Sequence, residues 1–221
     1  MKRATLQVII KFLMRVLTRT EYLGLENVPA NGPVIIATNH MSRLDIPVLF
    51  NNPARPDVNA LVTTKYKKHW IIRWIIDAGE GIWLDRDTAD FSAFRQASDL
   101  LKQGKCLAIS PEGTRSHTDG LQEGKPGTIL LALRCNVPIV PVGITGTKGG
   151  FKKILMLRRP KLTATFGPAF LLEPVDRDNR EADMLRYTDE MMCRVAAVLP
   201  ENYRGVYKDH PRLKELLAGT K

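Results

Sequence analysis

Along the chain, strand-length apolar runs alternate with helix-length amphipathic stretches, the order expected of an α/β protein. Between residues 4 and 18 the polar residues Gln7, Lys11 and Arg15 recur every four positions, extended by Arg3 and Arg19. Leu6, Ile9, Ile10, Leu13, Met14 and Leu17 fill the remainder. That spacing predicts a helix with a narrow basic stripe and a broad apolar face. Pro33-Val34-Ile35-Ile36-Ala37 reads as a strand, and a helix begins near Asp45 because Pro47 is tolerated only in a first turn, with Asp45 or Ser42 as its cap. Asn59-Ala60-Leu61-Val62-Thr63 is a short strand, and residues 66–76 a helix carrying Trp70 and Trp74 among basic residues.

Farther on, residues 81–87 read as a strand ending in charge. Residues 88–103 form a helix capped by Thr88, with Phe91, Phe94, Leu100 and Leu101 inward and Gly104 as its stop. A strand over 105–109 runs into the turn after Ser110, and a helix follows over 128–133. Val137-Pro138-Ile139-Val140-Pro141-Val142 is a strand whose prolines place it at an edge or a bulge. A strand over 162–166, closed by Gly167-Pro168, and a terminal amphipathic helix over 180–199 complete the chain. The pattern predicts a single α/β domain, a mixed sheet flanked by helices, with residues 1–24 as an amphipathic amino-terminal segment and 25–221 as the domain proper.

Composition narrows the partners. The 221 residues, 44% hydrophobic, suffice for one sizeable core, and a net charge of +10 points to an anionic partner. Cys106, Cys135 and Cys193 are odd in number, lack metal-ligand spacing and lie in apolar runs, which suits reduced core thiols in a cytosolic setting. Lys11, Arg15 and Arg73 interrupt every run that approaches the ~18 apolar residues of a spanning helix, so the chain is expected to lie on a membrane rather than cross it. The apolar face of the first helix suits either the headgroup boundary or the domain's own core. Trp70 and Trp74 beside lysines suit an interfacial anchor as well as a core helix. The basic run Lys148, Lys152, Lys153, Arg158, Arg159 and Lys161, interleaved with Phe151, Leu155, Met156 and Leu157, suits anionic lipid, the phosphates of coenzyme A or a solvated loop.

Candidate chemistry gathers at predicted strand ends, where α/β proteins place their sites. His40 follows the strand of residues 33–37, and Asp45 lies five positions on. A helix would hold two such side chains roughly 140° apart, so the pair meets only if a turn folds between them. Folded back, the ring would keep one nitrogen protonated on the carboxylate and the other free as a base. Alone, the two residues could equally be a strand-end histidine and a helix cap. Arg86 ends the strand of residues 81–87. Glu112, Gly113, Thr114 and Arg115 follow the strand of residues 105–109, where Gly113 permits a tight turn with exposed amides and Arg115 supplies a second guanidinium.

Four segments in order carry a family resemblance: Asn39-His40 with Asp45, Gly81 through Arg86, Pro111-Glu112-Gly113-Thr114-Arg115-Ser116, and Val137 through Val142. Together they resemble the motifs of the glycerolipid acyltransferases, across roughly residues 25–170, and in particular the bacterial lysophosphatidic acid acyltransferases. Ser110, usually apolar or aromatic in the family, and Ile72, often proline, depart from the pattern. The resemblance implies transfer of a fatty acyl group from acyl-CoA or acyl-carrier protein to the free hydroxyl of lysophosphatidate. His40 would be general base, Asp45 its partner, and Arg86, Glu112, Gly113, Thr114 and Arg115 substrate-binding. It implies no metal, cofactor or nucleic acid, and work at an anionic surface on the cytoplasmic face of the cell membrane. The alternatives are another lysolipid or glycolipid acceptor, or a hydrolase using Ser42, Cys106 or Ser110 with His40. The chain holds no Gly-x-Ser-x-Gly elbow for the latter.

Overall fold

A computed structural model describes residues 1–85, 88, 90–118, 120–175 and 179–219. The helix α1 (Arg3–Leu17) opens the chain and leads into β1 (Arg19–Leu23). Then come β2 (Val34–Thr38), α2 (Asp45–Phe50), β3 (Asn59–Thr63), α3 (Trp70–Ala78), β4 (Ile82–Leu84) and α4 (Phe91–Lys102). β5 (Cys106–Ile109), α5 (Gly127–Cys135), β6 (Ile139–Thr145), α6 (Gly150–Leu155), β7 (Lys161–Phe166), α7 (Arg180–Ala197) and α8 (Pro211–Ala218) follow.

The strands form one sheet in the order β1-β7-β6-β2-β5-β3-β4. β6, β2, β5, β3 and β4 run parallel, so their carboxyl ends share one edge; β7 is antiparallel to β6 and parallel to β1, which makes the sheet mixed. Both faces of the central strands are apolar, as a sheet covered on both sides requires. Ile35, Ala37, Leu107, Ile109 and Ile139 pack with α4, α5 and α7. Val34, Ile36, Cys106, Ala108, Val140 and Val142 pack on the other side with Val48 and Leu49 of α2. Each fully buried aliphatic side chain contributes about 1.5–3 kcal/mol, and Val34, Ile35, Ile36 and Ala37 of β2 are all fully buried.

At the amino ends of the strands the buried Arg55 acts as a clasp. It forks onto Asp57 at 2.8 and 2.7 Å and donates to the carbonyls of Pro29, Gly32 and Gly104, tying together the loops that precede β2, β3 and β5.

Several expectations need correction. Residues 19–23, grouped above with the helical segment, are the strand β1 on β7. Residues 64–68 form a 3-10 turn, and α3 starts only at Trp70. α4 is capped by Asp90, whose Oδ1 accepts the Ala93 N–H at 2.9 Å, so Thr88 is not the cap. Phe91 points outward, 81% exposed, and Ala93, Ala97 and Leu101 take the inner face. β6 lies inside the sheet, so of the two placements expected for its prolines, edge or bulge, the bulge is the one observed. The prolines are accommodated because pairing with β7 starts at Val142↔Phe166 and resumes at Ile139↔Phe170, so three residues oppose two in a bulge beside Pro141. α7 is not terminal either; α8 packs against it, held by Arg212 on Glu190.

Candidate active site

β2 delivers its chain to the carboxyl edge of the sheet, and the next residues turn sharply instead of continuing as a strand. Asn39, buried, replaces the lost ladder by pairing its side chain with the backbone of Ile144: Nδ2 donates to the carbonyl at 2.9 Å and Oδ1 accepts the N–H at 2.7 Å. The turn that follows folds over the first residue of α2. Asp45 Oδ2 accepts the N–H groups of Met41 and Ser42 and meets His40 Nδ1, each at 2.8 Å. Asp45 therefore does not cap its own helix. The N-cap residue is Leu44, and the Asp45 carboxylate, 2% exposed, is aimed back at the turn; among the described residues Ser42 Oγ accepts only the Leu44 N–H.

An ionised carboxylate only accepts, so Nδ1 carries the imidazole proton and Nε2 holds the lone pair. Among the described residues Nε2 has no protein partner, whereas the side chain itself is mostly enclosed. An imidazole with one nitrogen fixed and the other open results from three bonds to one carboxylate oxygen.

The loop after β5 grips the same histidine through its backbone. Glu112 Oε1 accepts the His40 N–H at 2.9 Å, Oε2 accepts the Gln122 N–H at 3.0 Å, and the Ser116 N–H donates to the His40 carbonyl at 2.8 Å. Gly113, φ +71°, turns the loop with its N–H on the Ser110 carbonyl at 3.0 Å, and the Lys125 side chain packs directly over it. Glu112 is 2% exposed, and burial pushes its carboxyl above the usual range, against the pull of the two amides. Both of its oxygens are thus committed to backbone. Thr114 and Arg115 stand at the exposed end of the loop. Arg86 lies outside the described residues. On the same edge Arg43 lies over the Tyr66 ring at 5.6 Å, joining the start of α2 to the 3-10 turn that carries Lys65, Lys67 and Lys68.

Two of the hydrolase candidates, Cys106 and Ser110, lack a nucleophile's surroundings. Cys106 is fully buried, and burial pushes its thiol up to about 12; the Ser110 hydroxyl is buried without a hydrogen-bond partner among the described residues.

The site is thus a histidine fixed by a carboxylate five residues on, with a glycine-turned Glu-Gly-Thr-Arg loop against its backbone. The family model described as "Acyltransferase" matches residues 19–145, more than half of the chain. The chain belongs to the acyltransferase family. Probable 1-acyl-sn-glycerol-3-phosphate acyltransferases of Mycoplasma pneumoniae and Mycoplasma genitalium are similar to this acyltransferase, 27% identical over 143 residues and 30% over 122, covering 62% and 53% of it. It spans about half the length of these curated relatives, 53% and 46%. The crystal structure of a 1-acyl-sn-glycerophosphate acyltransferase from Thermotoga maritima shares the fold of this acyltransferase, with a TM-score of 0.64 at 22% identity over 86% of this chain and 79% of that one.

Proposed function

We propose that the chain acylates lysophosphatidate, taking the acyl group from acyl-CoA or acyl-carrier protein, with His40 as general base. The observation that carries the reading is the Asp45–His40 pair with Nε2 left open. Nε2 takes the proton of the free glycerol hydroxyl as that oxygen attacks the thioester carbonyl carbon. Collapse of the tetrahedral adduct breaks the C–S bond, and the thiolate leaves with the proton returned by the imidazolium. Asp45 stabilises that imidazolium, a contribution of the kind worth about 10²–10⁴ in rate for the base as a whole. No enzyme-bound acyl group is formed. The chain's similarity to acyltransferases that act on 1-acyl-sn-glycerol-3-phosphate supports the acceptor.

Arg86, Thr114 and Arg115 would hold the acceptor phosphate and glycerol, the two arginines by forked contacts. Glu112 acts through His40, as a positioning residue, since both its oxygens hold backbone amides.

We place the reaction on an anionic membrane surface, at the cytoplasmic face, with the chain peripheral or monotopic. α1 supports this. The amino-terminal half of its polar stripe turns inward, Arg3 donating to the carbonyls of Gly79 and Val58 and lying over the Phe50 ring, and Gln7 donating to Pro56 O. Val8, Ile9, Phe12, Leu13 and Val16 are left outward. Trp70, 79% exposed, and Trp74 project from α3 in the same manner. No helix among the described residues is long and apolar enough to cross a membrane.

The test is a mass-spectrometric product assay of the purified protein with a panel of lysolipids and both donor carriers. Phosphatidate from lysophosphatidate, with no acyl mass added to the protein by donor alone, is expected; preference for phosphate-free acceptors would reject the assignment.

A further inference from the structure

The stretch after α6 is apolar, exposed and held in a costly conformation. Leu155 is 83% exposed and Leu157 91%, with Phe151 and Met156 also outward. α6 closes with the Arg158 N–H on Lys153 O at 2.8 Å and the Leu157 N–H on Ile154 O at 2.9 Å, the two bonds of a Schellman closure. The left-handed position of that closure normally takes glycine. Here it is Leu157, at φ +55°. A bulky L-residue there is disfavoured and buries nothing within the fold, so its side chain is retained against the conformational preference of its own backbone.

Both ends of this tip are anchored. Gly150, at the start of α6, lies so close to Leu44 of the His40–Asp45 turn that a Cβ would meet Leu44 Cδ1 at 2.6 Å. At the other end Arg159 Nη2 donates to the carbonyls of Arg15 and Thr18 at 2.6 and 2.8 Å, placing a cation on the carboxyl end of α1. The exposed Lys152, Lys153 and Arg158 flank the leucines, and no acidic residue occurs from Lys148 to Lys161.

We propose that Leu155-Met156-Leu157 is a lipid-inserting tip that docks this face on an anionic bilayer, its leucines entering the acyl boundary and Lys152, Lys153 and Arg158 meeting headgroup phosphates. Cations around a rigid, outward apolar tip match the charge and polarity profile of that surface. The phosphates of a soluble carrier would use the cations and leave the leucines in water. The docking rests on the membrane-surface reading above and extends it to a second contact, separate from α1, fixed next to the base by Gly150 on Leu44.

The test is co-sedimentation of the full chain with phosphatidylcholine vesicles, with and without phosphatidylglycerol, together with the thermal midpoint of each variant. Leu157→Gly removes the strain along with the side chain, so its midpoint should hold or rise while affinity for the anionic vesicles falls about tenfold, as expected for losing one buried leucine. Lys153→Gln and Arg158→Gln should each weaken binding about fivefold, the loss shrinking with added salt. Leu157→Gly that binds as the wild type does, or that loses binding only together with its midpoint, overturns the proposal. So does a rise in KM for a coenzyme A thioester, measured with detergent-dispersed acceptor, while vesicle binding stays unchanged. Partition needs no lysophosphatidate, so a chain that binds vesicles through this tip but does not acylate that acceptor fails the proposed reaction and not the docking.

Discussion

The carboxylate of Glu112 accepts the backbone N–H of His40 at 2.9 Å, across 72 positions of sequence, and so sets where His40 stands relative to the Gly113 turn. Removing it with Glu112→Ala should lower kcat by an order of magnitude or more while leaving KM for lysophosphatidate nearly unchanged, because no substrate contact is lost. It should also lower stability by about 1–3 kcal/mol, the cost of leaving buried amides unpaired. Steady-state kinetics beside a denaturant titration separate the two effects. A large rise in KM at constant kcat would return Glu112 to the acceptor site.

Arg115 stands exposed at the end of that loop, where a planar guanidinium can fork onto a phosphate. Arg115→Ala should raise KM for lysophosphatidate far more than KM for the acyl donor, and lysine should rescue only partly, since an ammonium cannot make the forked contact. Equal losses with a phosphate-free acceptor would contradict this placement.

The clasp at the opposite edge should show in acid. The Arg55 guanidinium, forked on Asp57, holds that carboxyl below its ordinary 3.8. A depressed folded value means that the pair's stabilisation is fully present above about pH 3.8 and is lost as the pH falls through the lower folded value. Asp57→Asn should therefore lower stability at neutral pH by roughly 1 kcal/mol, discounted because the Asp57 side chain is 36% exposed, and flatten the fall below that point. Chemical denaturation across an acid pH series measures both; an unchanged acid limb would remove Asp57 from the clasp.

Much of this architecture can be read from local pattern. β2, β3 and β5 announce themselves as apolar runs and β7 as an alternating one, and His40 and Glu112 lie just beyond strands where such runs break into polar turns. β1 was hidden because Arg19-Thr20-Glu21-Tyr22-Leu23 is an edge strand, polar on its open side and continuous in sequence with the helix before it. Asp45 looked like a cap because capping and gripping a histidine use the same residue at the same place; only the turn's direction decides between them. The engagement of Glu112 with His40, and of Arg159 with the end of α1, joins distant segments through backbone groups that carry no residue code, so no local signal could have found them. Phe91 faces outward because it lies roughly 200° around the helix from Ala93, and the buried stripe of α4 runs through Ala93, Ala97 and Leu101.

The central claim is that His40 Nε2 takes the proton of the acceptor hydroxyl in a direct transfer. The measurement that tests it most directly is the single-turnover rate of phosphatidate formation from lysophosphatidate and acyl thioester, for wild type, His40→Ala and Asp45→Asn, with circular dichroism confirming each fold. His40→Ala should lose about 10²-fold or more, as expected for a general base, and Asp45→Asn should lose less, because its amide oxygen can still accept the Met41 and Ser42 N–H groups. A folded His40→Ala variant that keeps more than about a tenth of the wild-type rate would contradict the account and place the base elsewhere.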